Sequence, residues 1–225
     1  MKTLVKVLVL FVTTVVFSQK QIEKTVGDFK EIKVYDLIEV ELVKANENKV
    51  VITGKNIDDV LINNKNGTLK IKMNLGEAYD GNQTKVTLYY TLLDVIDVNE
   101  GAYVHSKDTL KQFEVALNAQ EGGKIKVNVD VDYLNIRSVT GANVKASGKA
   151  KNQDISIFTG GVYGGKNLKS DFTDVSIRIA GEAHVNAKTL VNAKVRAGGD
   201  IYIYGNPERV DESKVLGGRI KRVEE

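Results

Sequence analysis

The sequence predicts an all-β chain wound as a β-solenoid with coils of about 19 residues, and three observations predict it. From Gly101 onward, a glycine followed three residues later by an apolar residue recurs at nearly even spacing, beginning at Gly101, Gly122, Gly141, Gly160, Gly181, Gly198 and Gly217. Repeats of this length are supersecondary units that stack, each burying its apolar face against the next. Between the glycines, apolar and polar residues alternate, which places one set of side chains inward and the other outward on a half-buried strand. Helical periodicity is absent beyond the first residues, and the single proline, Pro207, leaves the strand segments unbroken.

Residues 1–18 read as a secretory signal peptide. Lys2 and Lys6 precede a mostly apolar run from Leu8 to Phe17 that is too short to span a bilayer, and Val16, Phe17 and Ser18 precede a plausible cleavage point. No cysteine occurs, so a lipidated N-terminus at that point is excluded, and no later segment approaches the roughly 20 apolar residues of a membrane helix. The chain has 32 basic and 29 acidic residues, a net charge of +3, and the signal segment carries two of the three surplus positive charges. The exported part is therefore close to neutral and lacks the basic footprint of a nucleic-acid binder. Without disulfides, its stability rests on buried apolar surface, which one domain over residues 19–225 can supply. The expected location is the periplasm, the outer cell surface or the extracellular medium.

Residues 19–98 are strand-rich but irregular. Glu31 to Val34, Leu37 to Val43, Lys49 to Thr53, Gly67 to Met73 and Lys85 to Tyr89 are strand segments separated by Asn, Asp and Gly turns, with Asn63 to Gly67 the strongest turn signal. No linker separates them from the regular repeats, so they are read as looser first coils that cap the solenoid. In residues 99–225 each repeat is expected to hold two or three short strands, stacked in parallel about 4.8 Å from the next coil. Val104, Ile125, Val144, Tyr163, Ile201 and Ile220 form one predicted inward column. His184 interrupts it unless one extra residue shifts Val185 into place. His105, Lys126, Lys145, Gly164, Tyr202 and Lys221 form the adjoining outward column. The alternating segments from Phe113 to Leu117 and from Val175 to Ile179 supply further inward residues. The doubled glycines are read as corner residues that tolerate positive φ or close contact with the next coil, since no helix comes after them to make a phosphate site. The charged ending from Arg219 to Glu225 is read as a guard against strand pairing at the last edge.

The opening TVGDFKEIKV, the following DLIEVELV, the NNKNGTLKIKM segment, the Gly-x-x-Val coils and the ending VNAKVRAGGDIYIYGNPERVDESKVLGGRIKRV resemble the auto-transporter adhesin head GIN domain family, over roughly residues 25 to 223. The resemblance implies a right-handed parallel β-helix and a role at the cell surface or in adhesion. The many 9 to 11 residue strands of an auto-transporter's membrane barrel have no counterpart after the last coil. Self-translocation is therefore not expected, and a periplasmic location stays open.

Catalytic chemistry finds little footing. There is no cysteine and no Gly-x-Ser-x-Gly elbow. His105 and His184 are 79 residues apart, about four coils or 19 Å along the axis. Bonds from a metal to nitrogen are about 2 Å, so the two cannot share an ion. No cofactor or metal is expected, and Gly198 to Asp200 matches only a fragment of the calcium-binding nonapeptide. Asp130 and Asp132 alternate with Val127, Val129 and Val131, so both should point outward about 7 Å apart, a weak candidate acid pair. Ile201 and Ile203 should face inward, which turns Tyr202 and Tyr204 outward as a weak ligand-binding surface for a sugar or protein. The expected function is that of an exported, non-enzymatic solenoid with an adhesive, envelope-binding or structural role, in contact with an unidentified surface glycan or protein. The alternative is an envelope polysaccharide-binding or polysaccharide-cleaving protein. Open solenoid ends and flat faces also suit a homo-oligomer.

Overall fold

The computed structural model describes residues 20–224; the expected signal peptide lies outside the described residues. Eight short strands come first: β1 (Ile22–Thr25), β2 (Glu31–Val34), β3 (Glu39–Lys44), β4 (Lys49–Gly54), β5 (Val60–Lys65), β6 (Thr68–Met73), β7 (Thr84–Tyr90) and β8 (Val95–Val98). Five long strands come next: β9 (Tyr103–Ala119), β10 (Lys124–Val139), β11 (Asn143–Phe158), β12 (Val162–Ile179) and β13 (Glu182–Ala197). The chain closes with β14 (Asp200–Tyr204), β15 (Arg209–Leu216) and β16 (Arg219–Arg222).

Each long strand is nearly a whole coil, which corrects the expectation of two or three short strands per repeat. β9 to β13 pair in parallel in chain order, so that Lys124 of β10 stands between Tyr103 of β9 and Asn143 of β11. The coil bends where the inside-outside alternation slips and two successive residues face outward, and the pairing between coils shifts register near such bends, as between Lys145 and Gly148 of β11 and between Gly164 and Lys169 of β12. In β10 the slip falls at Asp132 and Tyr133; in β12 it falls at Lys166 and Asn167 and again at Asp171 and Phe172. Such a slip is the reason that Phe113 and Ile179, expected inward from simple alternation, are 65% and 60% exposed.

The remaining corner belongs to the glycines. Asn99 to Ala102, Gln120 to Gly123, Val139 to Ala142 and Phe158 to Gly161 each close a four-residue turn, the fourth amide donating to the first carbonyl at 2.9 to 3.2 Å. Both central residues have positive φ, as at Thr140 (51°) and Gly141 (70°). This is the type I′ pattern, in which glycine relieves the second position. After β12 the corner moves by one residue, and Ala180 with Gly181, Gly198 with Gly199 and Gly217 with Gly218 take the positive φ values. The register consequently seats Ala183, not Val185, in the inward column between Tyr163 and Ile201. Elsewhere that column is as predicted: Val104, Ile125, Val144, Tyr163 and Ile201 are buried, and Ile220 packs partly buried at its end. His184 joins the outward column, opposite Gly164 and Tyr202.

The N-terminal coils stack out of chain order. β3 pairs in parallel with β7 on one side and β9 on the other, and β2 likewise with β6 and β8. The coil made by β2 and β3 is thus seated between the β6–β7 coil and the β8–β9 coil. Beyond β7 lie β4 and then β1, and beyond β6 lies β5, all paired antiparallel. These strands make the less regular N-terminal end of the solenoid. One hydrophobic cluster extends from Val26 to Ile203. No helix among the described residues is long and apolar enough to cross a membrane.

A polar chain is sealed inside the core. The buried Tyr163 hydroxyl donates to Gln153 Oε1 at 2.7 Å, Gln153 Nε2 donates to Thr173 Oγ1 at 3.2 Å, and Thr173 shares a 2.8 Å hydrogen bond with Ser170. Burial pushes the Tyr163 phenol well above the usual tyrosine range.

This packing ranks the corner glycines by their sensitivity to substitution. An added Cβ at Gly141 meets nothing within 4 Å, whereas at Gly161 it would lie 2.3 Å from the Ser138 carbonyl oxygen. Gly141→Ala should cost about 1 to 2 kcal/mol through its backbone conformation, and Gly161→Ala about 3 kcal/mol or more by forcing two coils apart; thermal unfolding of the two variants reads the order directly. For Tyr163, the folded-state pKa is raised, so its stabilising contribution is intact below the unfolded value of about 10 and is lost as pH rises beyond it. Tyr163→Phe should therefore lower stability at pH 7 by about 1 to 2 kcal/mol by stranding Gln153, yet flatten the alkaline decline, as urea unfolding across the alkaline range would show.

Candidate functional site

Successive coils carry a shallow trough of about 740 Å³ on the face that lies after the first bend. Its floor is a column of small residues, Val131, Ala150, Ser170 and Ala187, each buried with its side chain turned inward. The outward neighbours of that column make two walls. One wall is Asp130, Lys149, Lys169 and Asn186; the other is Asp132, Lys151, Asp171 and Lys188. Because every residue lies one coil from its neighbour in the wall, side chains along a wall are about 4.8 Å apart at the backbone. The second wall alternates in sign along its length, which avoids the repulsion of like charges in register.

Asp130 and Asp132 both point outward, as expected, Asp130 half-buried and Asp132 exposed. Lys149 Nζ lies 3.3 Å from Asp130 Oδ1, and Lys151 takes the corresponding place beside Asp132 in the next coil. Each carboxylate is thus set against a lysine of the adjacent coil, the arrangement of a charge ladder. A general acid and base working on one bond would need one carboxyl group held as the proton donor. The far end of the trough is fixed by Asn186, whose Nδ2 donates to the Lys166 carbonyl at 2.9 Å and whose own carbonyl accepts from Ser170 Oγ at 3.0 Å.

An aromatic ridge runs beside the second wall. Tyr133 follows Asp132 and Phe172 follows Asp171 at the same corner, 45% and 41% exposed. Phe113 extends the ridge by one coil, with its ring 5.3 Å from that of Tyr133. Solvent-exposed rings on three coils, next to alternating donors and acceptors, offer stacking and hydrogen bonding along one line.

Tyr202 and Tyr204 lie on the neighbouring face, and they differ. Tyr202 is half-buried and stacks on His184 at 4.8 Å. Tyr204 points outward but is only 8% exposed, which corrects the expectation of two open rings. Its hydroxyl is 3.0 Å from His184 Nδ1, and Lys166 Nζ sits 4.8 Å from its ring centre. Glu182 Oε1 lies 2.7 Å from His184 Nε2 and completes the cluster. His105 occupies the same outward column four coils away, with Glu39 at 3.3 Å and Tyr103 stacked at 5.0 Å. Asp200 is held by Arg219 through two hydrogen bonds of 2.8 and 2.6 Å, and that guanidinium lowers its carboxyl below the usual range. It ties the last coil to its neighbour. Among the described residues no group of three or more His, Asp or Glu converges on a metal position.

The residues that sequence reading missed, Lys149, Lys151, Lys169, Asp171, Lys188, Tyr133 and Phe172, are spread over four coils, β10 to β13. Stepping the coil period forward from Asp130 and Asp132 lands on Lys149 and Lys151, then on Lys169 and Asp171.

A family model described as "Putative auto-transporter adhesin, head GIN domain" matches residues 28–207. A crystal structure of a putative adhesin from Bacteroides fragilis is similar at a TM-score of 0.84 and 20% identity, covering 92% of this chain and 98% of that one. A putative adhesin from Parabacteroides distasonis is similar at 0.74 and 20%, and a putative lipid binding protein from the same species at 0.72 and 16%, each covering 92% of this chain and 98% of the other. At such identities the likeness concerns the fold alone. No curated protein matches the chain.

Proposed function

The chain belongs to the auto-transporter adhesin head GIN domain family, and from that premise we propose that it is an exported, non-enzymatic binding protein that engages a cell-envelope glycan along the trough. The observation that carries this reading is the trough itself, about 740 Å³, with Asp and Lys in both walls, alternating in one of them, and bordered by the exposed rings of Tyr133 and Phe172. A polyhydroxylated chain lying along the axis would meet carboxylate acceptors on β10 and β12, ammonium donors on β11, β12 and β13, and ring faces on β10 and β12. Asp130 and Asp132 act as hydrogen-bond acceptors in this reading, each beside a lysine. Tyr204, covered by Lys166 and bonded to His184, serves to join the last coils, with Tyr202 at its margin. The non-enzymatic reading is supported by the adhesin description of the family and by the lysine beside each acid.

The test is binding of labelled residues 19–225 to whole cells, purified peptidoglycan and a glycan panel, with product analysis of the incubated polysaccharide. Saturable binding to a glycan is expected. The paired substitution Tyr133→Ala and Phe172→Ala should weaken it about tenfold or more, while Tyr202→Ala leaves it within a few-fold, and no shortened chains should appear. Absence of saturable binding, or binding indifferent to the ridge, would count against the trough; release of cleaved polysaccharide would overturn the non-enzymatic reading.

A further inference from the structure

The two ends of the solenoid are built differently. At the N-terminal end, antiparallel β1, β4 and β5 lie across the first coils. At the C-terminal end, β15 pairs with β13 on one side and with no strand on the other among the described residues. Its register continues the core: Val210 follows Val191, Glu212 follows Ala193 and Lys214 follows Val195 in inward columns, and Leu216 follows Ala197 at the corner. One face of this strand therefore reads Val, Glu, Lys, Leu, and only Val210 among them is partly buried. The outward charges are satisfied within the strand, where Arg209 holds Asp211 at 2.8 Å.

Inward charges on an edge strand ordinarily blunt it, because any strand that pairs there must bury them. The order of these four residues makes one partner an exception. If a second copy of β15 runs antiparallel about a two-fold axis at Ser213, Val210 faces Leu216 of that copy and Glu212 faces its Lys214, and each pair occurs twice. Apolar residues meet apolar residues at both ends, and opposite charges meet in the middle. No other antiparallel centre within the strand pairs all four residues this way, and a parallel second copy in register would set like against like. At the N-terminal end the outermost strands, β1 and β5, pair antiparallel to their neighbours, so head-to-tail stacking would not continue the parallel register of the coils, whereas the two-fold contact closes as a dimer.

We infer that β15 is a self-complementary edge through which two copies of this chain pair end to end, antiparallel and centred on Ser213, with Glu212 of each bonded to Lys214 of the other. The result is a double-length solenoid with a capped N-terminal end at either tip. It places the glycan trough of each copy on one continuous rod, although the pairing stands independently of what the trough binds.

Sedimentation velocity of residues 19–225, from micromolar to millimolar protein, tests it. A concentration-dependent dimer is expected, weakened about tenfold or more in Glu212→Lys and in Lys214→Glu, each of which sets like charges face to face. An equimolar mixture of these two variants should recover the dimer, because each supplies the charge the other lacks. Both positions are exposed, and circular dichroism with thermal unfolding verifies that the variants stay folded. A chain that remains monomeric throughout, a dimer insensitive to either reversal, or a mixture that fails to recover association would each overturn the inference.

Discussion

The parallel register between coils is the constraint on which the rest of this structure depends. Once Lys124 is set between Tyr103 and Asn143, every other residue of the coil inherits a neighbour of the same kind above and below. Inward positions become columns that bury apolar side chains against their own repeats, and outward positions become columns whose chemistry is set by what each coil contributes. A corner that turns at a fixed place keeps the register, and the type I′ turns with glycine at the second central position supply it. Where the corner moves by one residue, from Gly160 to Ala180, the chain keeps its columns by seating Ala183 where a count from Gly181 points to His184.

Much of this was legible because glycine corners and period-two alternation both arise from local backbone geometry. The inward column from Val104 to Ile220 could be read by counting from each glycine. The bends between the flat runs could not. Their glycines, such as Gly148 and Gly205, do not recur in every coil, and residues such as Phe113 and Ile179 look inward by alternation until a slip in the pleat turns them out. Tyr204 shows a related limit: its outward direction was readable, but its burial depends on Lys166 and His184, which come from other coils. The N-terminal order was hidden for a different reason. Strand pairing between β3 and β9 joins residues more than sixty positions apart, and no local pattern reports that a later coil lies outside an earlier one.

The same register that builds the core also explains why the candidate site is a surface and not a pocket. A coil of nearly constant length leaves no long loop to fold over a cleft, so the candidate site is spread along the columns. Asp130 and Asp132 looked like an isolated pair in one strand. Stacked with Lys149, Lys151 and Asp171 they belong to walls in which each carboxylate stands beside a lysine of an adjacent coil and hydrogen-bonding groups are presented coil after coil. The aromatic ridge arises from the bends, since the two outward residues at each slip have no inward partner position and their rings remain in solvent. At β15, the columns of Ala193 and Val195 end on Glu212 and Lys214, where charge replaces the apolar residues of the core.

The out-of-order coil is the strongest consequence of the register, and cross-linking tests it most directly. The chain has no cysteine of its own, so introduced pairs report cleanly. Glu41 lies opposite both Thr87 and His105 in adjacent coils, at a backbone spacing of about 4.8 Å that a disulfide can bridge, whereas Thr87 and His105 are two coils, about 10 Å, apart. Oxidation of the Glu41→Cys/His105→Cys and Glu41→Cys/Thr87→Cys variants should close intramolecular disulfides, and Thr87→Cys/His105→Cys should remain reduced. Efficient closure of the Thr87/His105 pair, with none between positions 41 and 105, would mean that the coils keep chain order and would contradict the account.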